Sequence, residues 1–212
     1  MSRVILYDDC ETETGFTAFK LLHLTGVFGI HDVKEFNDLY ATKKLNYKFY
    51  FDDDDDFFVD IISPAIIKLR VRFIFPDEMY IDLFRLNPSF KGANVGFNRM
   101  RSQVEAAKTY SFTRITLWAY GNIKEFKNWD GYIIWGKYGF SMYEPREKHS
   151  FNSKMTEDRL IHCSTINDLV YSKEGTAYWK HRGEDWHGEF IMDDNSHNMN
   201  VFRRYGEERG LF

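Results

Sequence analysis

The 212-residue chain holds only two cysteines, Cys10 and Cys163, and neither lies among residues at metal-ligand spacing. Two thiols cannot build a disulfide framework, so a reducing compartment is expected. No apolar run approaches the roughly eighteen residues that a membrane helix needs. The opening, Met-Ser-Arg-Val-Ile-Leu-Tyr-Asp-Asp, reaches acidic residues too soon for a signal peptide. Excess positive charge is also missing. The formal net charge is −4, and general nucleic-acid binding needs a basic face that displaces counterions. Gly-x-Ser-x-Gly is absent, as are internal repeats and low-complexity linkers. These absences point to a soluble cytoplasmic protein with no metal, no membrane partner and no nucleic-acid partner.

Aromatic residues are plentiful, at 18% with twenty Phe and thirteen Tyr. Such a supply points to a broad sheet faced with rings, to a large pocket, or to both. Residues 15–29 fit a helix closed by glycine, and 32–41 a second short helix starting at Asp32. Five consecutive aspartates, 52–56, follow; like charges in a row repel and cannot all face one ion, so a solvated loop is expected. Strands are expected at 57–62, 65–75 and 79–86, with Pro76-Asp77-Glu78 turning the last two into an antiparallel hairpin. A helix at 97–108, a strand at 114–120, a weaker helix at 123–138 and a strand from Gly139 come next. Further on, helices are expected at 155–161, at 165–172 behind Thr165, and at 196–205. Trp179 and Trp186, with Gly183 and Gly188, read as a β-hairpin with an aromatic face. The whole reads as a single domain with a core at about 57–143, an N-terminal helical part (1–56) and a C-terminal extension (144–212).

Residues 79–96 carry the strongest chemical signal: an apolar strand runs into a glycine-bearing turn that opens a helix. Phe97, Met100, Val104 and Ala107 recur at helical spacing. A turn of this kind gathers main-chain N–H groups at the positive end of a helix dipole, where a pyrophosphate is held. The same glycines would also serve a plain strand-to-helix turn. Strict alternation along the strand puts Tyr80, Asp82 and Phe84 on one face, and Met79, Ile81, Leu83 and Arg85 on the other. Asp82 then either faces a cleft as a base toward an ammonium, or pairs with Arg70 or Arg72 on the neighbouring strand. The seven histidines form no constellation in sequence; His181 and His187 with Asp185 close no ligand set.

Leu86-Asn87-Pro88-Ser89-Phe90-Lys91-Gly92-Ala93-Asn94-Val95-Gly96 resembles the V-x-P-x-x-R-G-x-G-x-G segment of the GNAT acyl-CoA-dependent N-acyltransferases. Lys91 stands for Arg, and Asn94 for the middle glycine. Downstream, Asn128-Trp-Asp-Gly131-Tyr-Ile-Ile-Trp135-Gly-Lys-Tyr-Gly139-Phe140 resembles that family's N-x-x-A-x-x-L-Y-x-x-x-G-F segment. Trp135 occupies the position of a tyrosine that commonly protonates the departing thiolate, a step an indole cannot perform at neutral pH. Tyr132 and Tyr138, three residues to either side, are the phenols that could replace it.

The resemblance, over about residues 57–143, implies an α+β fold: a GNAT-like mixed, mostly antiparallel twisted sheet with helices on both faces. It implies acetyl-CoA (acyl-CoA) as cosubstrate, bound by Phe84, Leu86, Lys91, Gly92, Ala93, Asn94, Val95, Gly96, Asn128 and Trp135. Asp82, Tyr132 and Tyr138 become the catalytic candidates for direct acyl transfer to an unidentified amine acceptor. Trp135 and Asn94 equally fit a non-enzymatic coenzyme A-binding or protein-interaction module with the same fold.

Overall fold

A computed structural model describes residues 3–5, 20–26, 46–51, 54, 56–90, 92–121 and 130–212. The chain divides into two compact units, Met1–Thr113 and Arg114–Phe212.

The first unit is an antiparallel meander. Strands β1 (Arg3–Ile5), β2 (Asn46–Phe51), β3 (Phe57–Ile62), β4 (Ile66–Ile74) and β5 (Glu78–Leu86) pair in chain order. Period-two alternation builds its buried face, where Phe49, Phe57, Val59, Ile61, Val71, Phe73, Met79 and Ile81 are shielded from solvent. Rings run across that face from strand to strand: Phe49 to Phe57 (6.0 Å between centroids), Phe57 to Phe73 (6.1 Å) and Phe73 to Phe112 (6.1 Å). The aromatic excess therefore furnishes a ring-faced sheet. Aromatic pairs at such separations add to the energy of burial.

The opposite face is held by charge. Asp60 accepts from Arg70 Nε (2.7 Å) and Nη2 (3.1 Å) and lies 3.2 Å from Lys68 Nζ. Burial alone would raise the Asp60 carboxyl, but Arg70, then Lys68, outweighs it and holds the group below its ordinary value. Of the aspartate run, Asp54 is exposed and Asp56 accepts from Arg72 at 2.8 Å, so its last member is a structural ion pair; Asp52, Asp53 and Asp55 lie outside the described residues.

The β4–β5 hairpin forms as the Pro76 turn demands, but its register slips twice. Val71 pairs with Ile81 and Arg70 with Leu83, which leaves Asp82 as an extra residue on β5. Ile66 pairs with Leu86 and Lys68 with Arg85, which leaves Ile67 extra on β4. Phe84 pairs with buried Leu69 and so shares the face of Met79 and Ile81 rather than that of Tyr80. This corrects the strict alternation expected above. The slip has a physical cause: an unbroken ladder would turn Arg85 toward the buried face and Phe84 away from it. With both bulges Ile66 is buried, while Ile67 and Arg85 are exposed.

Helix α1 (Val95–Thr109) buries Phe97, Met100, Val104, Ala106 and Ala107, the stripe its spacing predicts. Thr113 ties the far end of this helix to the β4–β5 turn, its N–H donating to the Asp77 carbonyl (2.9 Å). Residues 20–24 are helical, within the helix expected at 15–29; the one expected at 32–41 lies outside the described residues.

The second unit has three antiparallel strands, with β8 (Trp186–Ile191) between β6 (Arg114–Ala119) and β7 (Ser141–Met142). Trp186–Ile191 is therefore a single central strand, not part of the expected hairpin. Trp179 sits in a helix instead. The helices are α2 (Gly131–Lys137), α3 (Pro145–Glu157), α4 (Ile166–Tyr171), α5 (Lys173–Arg182) and α6 (His197–Glu207). Helix α3 starts ten residues before the expected 155, because Pro145 opens it and only Phe151 and Met155 are buried along it.

Buried amides lock this unit. Asn167 Nδ2 donates to the carbonyls of Gly136 (2.7 Å) and Phe140 (2.9 Å). Asn198 Nδ2 donates to those of Gly139 (2.7 Å) and Glu189 (3.1 Å). Gly139 has φ +93°, and a Cβ there would sit 2.4 Å from the Asn198 carbonyl oxygen. Only glycine fits that site.

Candidate functional site

Strand β5 ends at Leu86, and Asn87 redirects the chain. Its N–H donates to the Ala65 carbonyl (3.0 Å), and its side chain bonds Pro64 O (3.2 Å) and Ser89 N–H (3.1 Å). A 3₁₀ turn, Pro88–Phe90, follows. Gly92 (φ +83°) and Asn94 (φ +56°) then take left-handed conformations, the second within what Asn tolerates. Gly92, Ala93 and Asn94 are exposed, whereas Gly96 is buried in the first turn of α1. Asn94 makes no side-chain cap. The first bond into the helix runs from Asn98 N–H to the Asn94 carbonyl (3.0 Å), so the amides of Val95 and Gly96 precede the ladder. They stand at the positive end of a 15-residue helix. The helix begins at 95 rather than 97; Lys91 lies outside the described residues.

Phe84 and Leu86 occupy the buried-face register of β5, opposite Leu69 and Ile66. Asp82, the bulge residue, is 40% exposed in its side chain and lies 3.5 Å from Arg70 Nη1. Of the two alternatives for Asp82, the pairing with Arg70 is therefore the one present.

Tyr132, Trp135 and Tyr138 are all buried. The Tyr132 hydroxyl donates to the Lys180 carbonyl (3.1 Å), and burial, with Asp130 behind it, raises its phenol. Burial and then Tyr205 push Tyr138 far above its ordinary value. Trp135 packs edge-on against Phe140 (5.2 Å) and Tyr138 (6.0 Å). Asn128 lies outside the described residues.

No family profile and no curated protein matches the chain. Among solved structures it is similar to an acetyltransferase of the GNAT family from Staphylococcus aureus Mu50, with TM-score 0.33 and 7% identity over 69% of this chain and 88% of that one. It is similar to Ard1 from Thermoplasma volcanium, with TM-score 0.32 and 12% identity over 90% and 97%. It is also similar to PaiA N-acetyltransferase from Thermoplasma acidophilum, solved in complex with coenzyme A, with TM-score 0.31 and 10% identity over 68% and 91%. No residue correspondence follows from likenesses at this level. Among the described residues, no cluster of metal-ligating side chains occurs and no helix is long and apolar enough to cross a membrane.

One group of side chains escaped sequence reasoning. His187 on β8 meets Glu147, forty positions away on α3: Nδ1 lies 2.7 Å from Oε1, and the His187 N–H donates to Oε2 (2.8 Å). The imidazole stacks on Trp118, its cross-strand partner, at 5.8 Å and 4°. The exposed or half-exposed positions are Arg114 and Trp118 on β6 and His187 and Glu189 among those of β8, whereas Thr116 is buried. Glu147, in a polar helix far along the chain, gave no signal in sequence.

Proposed function

We propose that the chain transfers an acyl group from acyl-coenzyme A to an amine. The diphosphate of the cosubstrate is received by the turn 92–96, through the amides of Val95 and Gly96 and the dipole of α1. Its pantetheine arm runs along residues 84–86 as an added strand, where the paired bulges locally disturb the β4–β5 ladder. A main-chain N–H of that stretch polarises the thioester carbonyl, and the amine attacks directly, without a covalent enzyme intermediate. A water chain takes the proton released from the amine, since the Asp82 carboxylate is engaged by Arg70. The observation that carries this reading is the uncapped start of α1 behind two left-handed residues on an exposed turn.

The role of acid to sulfur is assigned to neither phenol. A thiol ionises near pH ~8.5, so a thiolate does not draw a proton from a phenol raised above its ordinary ~10. Coenzyme A therefore leaves as the thiolate and is protonated by solvent. The buried, engaged phenols also fit a module that binds coenzyme A without turning it over.

The test is thermal unfolding with acetyl-coenzyme A. Ligand at a hundred times its Kd adds about 2.7 kcal/mol, which raises Tm by about 5–10 °C for a chain of this length. Ala93→Asp, an exposed change that sets a carboxylate beside the turn, is expected to abolish the shift while leaving the ligand-free Tm unchanged. Absence of any shift at millimolar acetyl-coenzyme A would end the proposal. A shift without turnover on a panel of amines would select the non-enzymatic module.

A further inference from the structure

Helices α2, α4 and α6 line a surface cavity of about 40 Å³ that lies wholly within the second unit. Three cations, Lys137, Arg204 and Arg209, and one acid, Glu208, share its lining. The acid is taken, because the Tyr171 hydroxyl donates to Glu208 Oε1. Among the described residues, no carboxylate lies within ion-pair distance of any of the three cations. Arg204 rests on the Tyr171 ring (4.2 Å) and Arg209 on the Tyr205 ring (3.8 Å). A ring against each guanidinium plane leaves its N–H edges for acceptors, of which Arg209 spends one on the Tyr205 carbonyl at 3.4 Å. The arginines are exposed and Lys137 is half-buried; burial, and then Arg209, holds the Lys137 ammonium below its ordinary value. Cations complement a helix C-terminus, which would account for Lys137 at the end of α2 and Arg204 at the end of α6. It does not account for bringing both ends to one cavity, where like charges repel and a half-buried ammonium has no counter-ion.

We propose that this cavity binds a phosphate dianion, free or as the head of a small monoester. Its lining carries three positive charges against one negative, and a dianion cancels the excess. The guanidiniums offer N–H edges to the phosphate oxygens, and Lys137 adds a point charge from the half-buried side. The local Gly136 carbonyl, which would repel an anion, is already held by Asn167 Nδ2 at 2.7 Å. Val170 and Val201 add apolar wall, beside which a charged contact is stronger than in open water. The room suits one polyatomic ion and is too small for a nucleotide. The site draws on no residue of the turn 92–96 and does not depend on acyl transfer.

The probe is inorganic phosphate, titrated calorimetrically into the full chain at constant ionic strength, with glycerol 2-phosphate as the monoester arm. Saturable binding is expected, weakened about ten- to a hundredfold in Lys137→Met and in Arg209→Gln, as for loss of a charged hydrogen bond. Each variant removes a charge that has no ion-pair partner, so the ligand-free Tm should not fall. The tighter of the two ligands names the source. Ala93→Asp should bind phosphate as the wild type does, which separates this cavity from the turn 92–96. In the wild type, phosphate should also slow the reaction of the Lys137 amine with acetic anhydride, read by peptide mass spectrometry; a lysine serving only the helix end would show no such protection. No saturable binding at millimolar phosphate, equal affinity in both charge variants, or loss of binding in Ala93→Asp would overturn the proposal. The acetyl-coenzyme A shift is measured separately on the same proteins, so failure at the cavity and failure at the turn are told apart.

Discussion

Helix α1 in the first unit follows a left-handed asparagine that offers it no side-chain bond, whereas three helices of the second unit begin at a bonded hydroxyl. Thr165 opens α4 with a full capping box shared with Asp168, Ser172 accepts from Gly175 N–H (2.8 Å), and Ser196 accepts from Met199 N–H (3.1 Å). Helices α2 and α3 have no side-chain cap either, but α3 begins with a proline, which has no N–H at that position to satisfy. The same contrast extends to the interiors. Asn167 and Asn198 spend their amides on buried carbonyls of the second unit, while the first unit, which also buries His23, Thr25 and Gln103, places the ion pairs of Asp60 and Asp56 on a half-exposed sheet face. A region that closes its own donors has stiffness as its main product. The exposed turn ahead of α1 leaves main-chain donors available for a ligand.

The sharpest attack on this contrast is Gly139→Ala. Its Cβ meets the Asn198 carbonyl at a positive φ, so about 3 kcal/mol or more of stability should be lost. Urea unfolding measures it, and a loss under about 1 kcal/mol would mean the amide lock yields easily. Next in size is Asp60→Asn, which strips Arg70 and Lys68 of their shared carboxylate and should cost about 2 kcal/mol at neutral pH. The sign with pH follows from the lowered Asp60 pKa: its stabilisation is full above the unfolded carboxyl value near ~4 and is lost as pH falls through the folded value. The variant should therefore show a flatter stability profile below about pH 4 than the wild type. Thr165→Ala should cost about 1 kcal/mol, the usual value of a hydroxyl cap. Smallest, and opposite in sign, Asn94→Gly should be neutral or stabilising by up to about 1 kcal/mol, since glycine takes φ +56° without strain. The acetyl-coenzyme A shift should survive it. A large loss there would show Asn94 to be a cap after all, and would erase the distinction between the two kinds of helix start.

Much of this was legible from residue order. Strand β3 occupies the expected 57–62, and the hairpin, α1, β6 and the helices behind Thr165 and Ser196 lie within a few residues of expectation. Each has strong period-two or period-3.6 patterning, or an unambiguous cap. Strand β2 is not among the expected strands because aromatic residues at 47 and 49–51 fill both faces and blur its alternation. Helix α5 buries only Gly175 and Trp179, so its stripe is too thin to read, and tertiary packing decides its state. At the candidate site, the glycine turn and helix start were readable because local backbone chemistry makes them. The choice of Arg70 over Arg72 as the partner of Asp82 required strand register, and the Glu147 partner of His187 required the fold.

The two extra residues in the β4–β5 hairpin offset each other, one per strand, so both ends keep a common frame while three pairs between them are displaced. Neither extra residue has a partner across the ladder, so removing Asp82, Ile67 or both would leave Phe84 opposite Leu69, Arg85 opposite Lys68 and Leu86 opposite Ile66. These two positions are therefore where the hairpin can shorten without turning a ring outward or a guanidinium inward.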